Sequence, residues 1–230
     1  MNPYEFIFKG ENSRNKGVML SKTPAIIKPK MRNNQVTING RPGTIIQELG
    51  YSAYEKILEF YIKEQGKLEE VQGWLFGEGE LTIFNEPDKI YDANILEEVE
   101  YIKNGRFYTG KATFFVQPYK RALVDKDNMI ALDGNNVQNN GNIESLPVIS
   151  ITGTGTVEVF VNNSIVCTLA FGEKERTLVI DAEAQECFYN GSLANRSMSG
   201  TFPTFSPGSS ILTTTGNVTQ ITYRKGERWI

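Results

Sequence analysis

The chain reads mostly as short runs in which apolar and polar residues alternate, the pattern of half-buried β-strands. The run "YEFIFKG" near the start is aromatic and closes at Gly10. "PAIIKPK" is apolar, but Pro24 and Pro29 confine it to an edge or irregular strand. "QVTI" and "TIIQ" flank "NGRPG" at residues 39–43, a strong hairpin signal with a loop longer than two residues. "YSAYEKILEFYIK" fits two periods. Tyr54, Ile57, Leu58 and Tyr61 match a helix; Tyr54, Leu58, Phe60 and Ile62 match a strand. "GKLEEVQGWLFGEG" predicts a short helix with Leu68, Val71, Trp74 and Leu75 on one face, ended by Gly77 and Gly79. After the strand "ELTIF", two long strands near 89–103 and 106–119 meet at "KNGR" as a long hairpin.

From Lys120 the pattern fades into an Asn- and Asp-rich stretch, whose side chains favour turns. A domain boundary is placed there, giving residues 1–130 and 131–230. Beyond Leu146 come "PVISITG", "TVEVFVN", "SIVCTLA", "RTLVIDAE", "ECFYN" and "VTQITYR", separated by turn residues at regular intervals. This spacing predicts a β-sandwich or barrel. The expected fold is mainly β, with two β-sandwich-like domains, the first carrying a short helix.

Charge sharpens the division. Residues 1–130 hold 18 basic and 18 acidic side chains, while residues 131–230 hold only 6 and 9. Within the first part the signs segregate. Seven Lys/Arg fall in residues 1–32 against Glu5 and Glu11, and thirteen acids fall in residues 55–100 against four lysines. Two solvated faces would explain this, and so would complementary patches joining copies head to tail, a contact that generates rings or filaments. DNA binding by the basic segment is disfavoured, because the acidic segment would oppose phosphate.

Candidate chemistry is sparse. The chain has no histidine, which removes imidazole-based nucleophile systems and the commonest metal ligand. Cys167 and Cys187 read as two buried thiols. "GTGTVE" from Gly153 lacks the following helix that a phosphate loop needs, so it reads as a hairpin turn. Glu97, Glu98 and Glu100 lie on an apparent strand and read as solvated. Trp74 reads as core, and Trp229 as a side chain that ties down the terminus. No membrane-spanning run and no signal peptide is expected at "MNPYEFIFKGENSRNKG". No enzyme activity, cofactor or metal is expected.

In "SGTFPTFSPGSSILTTTG", Pro203 and Pro207 set the backbone, and Gly200 and Gly208 allow turns. Phe202 and Phe205 lie an odd number of residues apart, so in extended chain they face opposite sides. At most one is expected in the core, with the other near the surface and no flat platform for a sugar.

The ordered set "NSRNKGVMLSKTPAII", "INGRPGTI" and "VQGWLFGEGELTIFNEPDKIYDA" resembles the N-terminal part of the distal tail (Dit) proteins of siphophages. The residues carrying it include Gly40, Arg41, Gly43, Trp74 and Leu75. The second part is similar to that family's galectin-like sandwich through "SLPVISITGTGTVEVFVN", "LVIDAE", "MSGTFPTFSPGSSIL" and the closing "RW". Gly200, Phe202, Pro203, Pro207, Gly208 and Trp229 match there. Phe205, Ser210 and Leu212 depart mildly from the family's usual residues. The resemblance implies a homo-oligomeric ring, usually hexameric, at the virion tail tip of a phage or prophage. The ring sits between the tail tube protein and the tail-associated tip protein, with receptor-binding proteins docked on the second domain and DNA only in transit. The protein would be made in the bacterial host cytoplasm. A carbohydrate-binding, lectin-like module is the alternative. It is weakened because galectin-type sites rely on a histidine and a stacked tryptophan.

Overall fold

The computed structural model describes residues 1–130 and 135–230, with side chains at 1–129 and 136–230. The chain divides into two compact units, Met1–Leu123 and Val124–Trp229. The expected boundary at 130/131 adjoins residues 131–134, which lie outside the described residues. Both units are mainly β, and no helix among the described residues is long and apolar enough to cross a membrane.

In the first unit the strands are β1 (Phe6–Phe8), β2 (Glu11–Asn12), β3 (Val18–Leu20), β4 (Met31–Val36), β5 (Ile45–Tyr51) and β6 (Tyr54–Ile62). Helix α1 (Leu68–Trp74) is followed by β7 (Gly77–Ile83), β8 (Glu86–Ile95), β9 (Glu100–Asn104) and β10 (Phe107–Ala122). An antiparallel sheet runs β2-β1-β7-β8-β10-β6-β3, with β9 also beside β10. Strand alternation puts Leu58, Phe60 and Ile62 of β6 inward with Ala112, Phe114 and Val116 of β10. The open choice at 51–63 thus resolves as strand, because long pairing with β10 uses the two-residue period. Helix α1 closes the core with Val71 and Trp74. Trp74 stacks on Phe6 at 5.4 Å, and its indole nitrogen donates to the Phe8 carbonyl at 3.1 Å. That bond satisfies the one polar atom of a large buried ring. The helix ends at Trp74, before Gly77 and Gly79, and both glycines belong to β7.

Two expectations need correction here. The long strand near 89–103 is broken between β8 and β9, and both pieces pair with β10. Val99 packs on the core while Leu96 turns out to solvent. Glu97 and Glu98 therefore lie in the break and only Glu100 on a strand. β10 also carries an irregularity between Val116 and Lys120, at Pro118, which has no N–H for the ladder.

One buried polar cluster crosses this core. Glu86 accepts from Tyr91 Oη and from Lys120 Nζ, the latter at 2.9 Å. Lys56, 1% exposed, donates to the Ala25 carbonyl at 2.8 Å and lies over the Tyr91 ring at 4.7 Å. Burial resists ionisation of Glu86, but its hydrogen bonds and the two lysines outweigh that and hold it below the usual carboxylate range. Burial, which dominates, and the charge of Lys120 push the Lys56 amine down to about 8, against the pull of Glu86.

The second unit contains β11 (Asn128–Ile130), β12 (Asn135–Asn139), β13 (Val148–Val161), β14 (Ser164–Asp181), β15 (Glu186–Tyr189), β16 (Ser192–Leu193), β17 (Met198–Gly200) and β18 (Gly208–Arg224). The regular series of short strands is not what forms. "PVISITG" and "TVEVFVN" are one strand, as are "SIVCTLA" and "RTLVIDAE". The centre is three long strands, β18-β13-β14. The outer two each serve two sets of neighbours on their far edge. β12 and β11 pair with opposite ends of β18, and β17 and β15 with opposite ends of β14.

A seam of bulges lets these strands bend. Register shifts fall at Gly153–Thr156 against β14, and between Thr152 and Glu158 against β18. "GTGTVE" is therefore a bulge within a strand and not a hairpin turn. Gly155 has φ +70°, and Gly216 opposite the seam has φ +101° with no room for a Cβ, which would lie 2.5 Å from the Thr156 carbonyl oxygen. The extra residues reset which side chains point inward. In β14 the buried set changes from Cys167, Leu169 and Phe171 to Leu178 and Ile180. In β18 it changes from Ser210 and Leu212 to Ile221 and Tyr223. This switch of parity, odd to even in β14 and even to odd in β18, keeps both halves of each of these strands on one core. Cys167 and Cys187 are buried free thiols in it, and burial pushes Cys167 up to about 12.

Two outcomes are expected. Gly216→Val destabilises the protein by at least about 2 kcal/mol, through left-handed strain and the Thr156 clash, in chemical denaturation. For Lys56, the folded chain gives up the proton near pH 8 while the unfolded chain holds it to about the ordinary 10.5. The unfolded state binds more protons in that window, so this group makes wild-type stability rise with pH there. The stability difference between Lys56→Met and wild type should therefore shift toward wild type from pH 8 to 10.5; a constant difference contradicts it.

Candidate assembly surface

Strands β4 and β5 form a two-stranded sheet that pairs with no other strand among the described residues. The register sets Val36 opposite Ile45 and Gln35 opposite Ile46. Successive residues face opposite sides, so Val36 and Ile45 share one face and Ile46 lies on the other. Ile46 is 61% exposed and Val36 49%, and Ile45, Leu49 and Ile38 of the loop are also exposed. An isolated hairpin is marginal in water, and aliphatic side chains on both faces make it a surface built to be covered. Its base is held by Ser52 N donating to the Lys30 carbonyl, and by a Tyr51–Tyr119 edge contact at 6.1 Å. The segment before it is tied down by Lys56 on Ala25 and by Asn85 Nδ2 on the Pro24 carbonyl.

Charge adds to this. Lys28, Lys30, Arg32 and Arg41 stand against Glu48 in residues 24–50, and all five are exposed. The basic N-terminal segment is not uniformly free for another copy, however. Lys16 pairs with Glu11 and Glu70, and Lys22 with Glu59, inside the same chain. Folding brings those parts of the two segments together, so the unspent positive charge is concentrated on the arm.

The sequence-derived residues do not converge on one site. Gly40, Arg41 and Gly43 lie in the exposed loop at the end of the β4–β5 arm, with Arg41 N donating to the Ile38 carbonyl. Trp74 and Leu75 are buried in the first core. Gly200 ends β17, where a Cβ would lie 2.5 Å from the Val166 carbonyl oxygen. Gly208 opens β18, Pro203 is buried and Pro207 exposed. Phe205 is fully buried and bridges Ser145, while Phe202 is half-buried and packs against the same core. One ring thus lies inside the core and the other packs at its edge, part-way to the surface. Trp229 is half-buried in the final short strand, Arg228–Trp229. The exposed aliphatics of the arm were the signal missed, since "QVTI" and "TIIQ" read the same whether a third strand covers them or not.

The chain has the fold of a siphophage distal tail (Dit) protein. The similarity is to the crystal structure of the SPP1 Dit protein, described as a paradigm of the hub adsorption apparatus in phages infecting Gram-positive bacteria. It extends over 98% of this chain and 99% of that one, at a TM-score of 0.77 and 15% identity. Two structures of the phage p2 baseplate in its activated conformation, with calcium and with strontium, align at 10% and 11% identity. They cover 97% and 96% of this chain and equal shares of theirs, each at a TM-score of 0.47. No protein-family model matches the sequence, and no curated protein matches it.

If the arm serves contact between molecules and not the fold, Ile46→Ser with Val36→Ser leaves the unfolding free energy of the dilute chain within about 0.5 kcal/mol of wild type. A cooperative loss well above that, by urea denaturation, would show that the arm is part of the core.

Proposed function

We propose that this chain is a structural hub protein of a phage or prophage tail tip. It forms a homohexameric ring that joins the tail tube to the tip and adhesion apparatus. The observation that carries the reading is the β4–β5 arm, which exposes aliphatic side chains on both faces and has no further strand partner among the described residues. The end-to-end likeness in fold to the SPP1 hub protein supports it. A ring needs a heterologous contact, and an arm that leaves its own unit uncovered is suited to one. In this reading the first unit contacts the tail tube and tail-associated tip proteins. The second, galectin-like unit offers a platform for receptor-binding proteins, and DNA passes through the opening without being held. The protein acts by being bound and not by catalysis.

Native mass spectrometry of the purified chain at low ionic strength is expected to show a closed six-copy species, and electron microscopy a ring. Raising salt should dissociate it, because its charged contacts are partly exposed and screened within about 10 Å at 0.1 M. A strict monomer at high concentration and low salt overturns the ring, and a single clear hit on a glycan array favours a lectin.

A further inference from the structure

The outward face of the first unit's sheet has the opposite character to the arm. Register places Glu78 of β7, Asn94 of β8, Phe115 of β10 and Glu55 of β6 in one transverse row. In the next rows Glu80 lies opposite Asp92, and Ile57 opposite Thr113. The inward neighbours Leu58, Phe114 and Val116 are fully buried, while Phe115 is 38% and Ile57 41% exposed. An aromatic and an aliphatic side chain thus sit in the middle of an acidic sheet face. A concavity of about 480 Å³ opens there, lined by Glu78, Glu80, Asp92, Asn94, Phe115 and Gln117 together with Gly79 and Ala93. Arg121 pairs with Asp92 at 2.5 Å and Glu80 at 3.0 Å, one cation against two carboxylates. Glu55 and Glu78 have no ion-pair partner among the described residues. The face stays net negative.

We propose that this face is the seat for the arm of a second copy of the same chain. The inference rests on the ring reading and adds to it where the arm lands. Three observations agree. The arm carries Arg32 and Arg41, and the segment leading into it Lys28 and Lys30, against one acid, and the face is acidic. Each carries exposed apolar side chains that the other can cover, Val36, Ile45 and Ile46 on the arm, Phe115 and Ile57 on the face. Both stay open in a single chain, so the arm does not occupy its own unit's face. The dimensions fit as well. Four strands at about 4.8 Å spacing span about 14 Å, enough for a two-stranded ribbon to lie flat on the sheet. Apolar centres supply the affinity, and opposite charges at the rim steer and orient the arm. Since arm and face are different surfaces, each copy gives one and receives one, and the chain of contacts closes into a ring.

The test uses full-length charge reversals at exposed positions, read by native mass spectrometry and light scattering at low salt, with circular dichroism confirming folding. The face variant is Glu55→Lys with Glu78→Lys; the arm variant is Lys30→Glu with Arg41→Glu. Each alone should lower the ring population by at least about tenfold, like charges now being juxtaposed. Mixed in equal amounts, the arm of each variant is opposite in charge to the face of the other, so the ring should return with the two variants alternating. All four reversals in one chain should restore the ring. A ring lost in the arm variant but intact in the face variant overturns this seat while leaving the ring reading standing. Failure of the four-reversal chain to reassemble, with both parents folded, also overturns it. A wild-type monomer removes both readings.

Discussion

A two-stranded ribbon cannot shield aliphatic side chains on both of its faces, and β4–β5 carries them on both. That constraint organises the first unit. The rest of it is arranged so that everything else apolar and inward-facing is covered by one curled sheet and one short helix. The arm's anchors are few, a main-chain bond at Lys30, an edge contact of Tyr51 on Tyr119, and side-chain bonds to Ala25 and Pro24. The body therefore holds the root of the arm firmly and leaves its length free. Packing of that kind suits a part that stabilises an assembly and contributes little to the fold of its own chain.

The two units solve the problem of a β core differently. The first uses many strands of modest length and fills the gap at the helix with Trp74, Phe6, Phe8 and Phe114, whose rings meet stacked, tilted or edge-on. It also tolerates a buried Glu86–Lys120–Tyr91 cluster, in which every charge has a bonded partner. The second uses three long strands and bends them. Its seam of glycines and bulges does work that turns would otherwise do, and it allows one strand to line two stretches of the same core.

Several features of this architecture could be read from residue order. Trp74 at helical spacing from Val71 announced a packed helix, because burial of an amphipathic stripe is a local property. Asn104-Gly105 announced its hairpin, since the turn needs a residue with positive φ and few residues supply one. Strand content was visible as alternation. The bends in β13, β14 and β18 were hidden for a related reason. A glycine in a bulge and a glycine in a turn look alike in sequence, and only pairing with the neighbouring strand tells them apart.

Residue order by itself determined that this is a mainly β chain of two parts, without histidine chemistry, with charge sorted along its length. Those are properties of composition and local period, which no later contact can change. Tertiary structure decided which of those charges and apolar runs are spent inside the molecule. Lys16 and Lys22 are neutralised by acids far away in sequence, whereas Lys28, Lys30 and Arg41 are not. "YIKEQ" and "TIIQ" offer similar side chains, yet Ile62 is buried and Ile46 lies open. Whether an apolar strand is core or contact surface depends on what pairs beside it and packs above it, and that is settled only when the whole chain has folded.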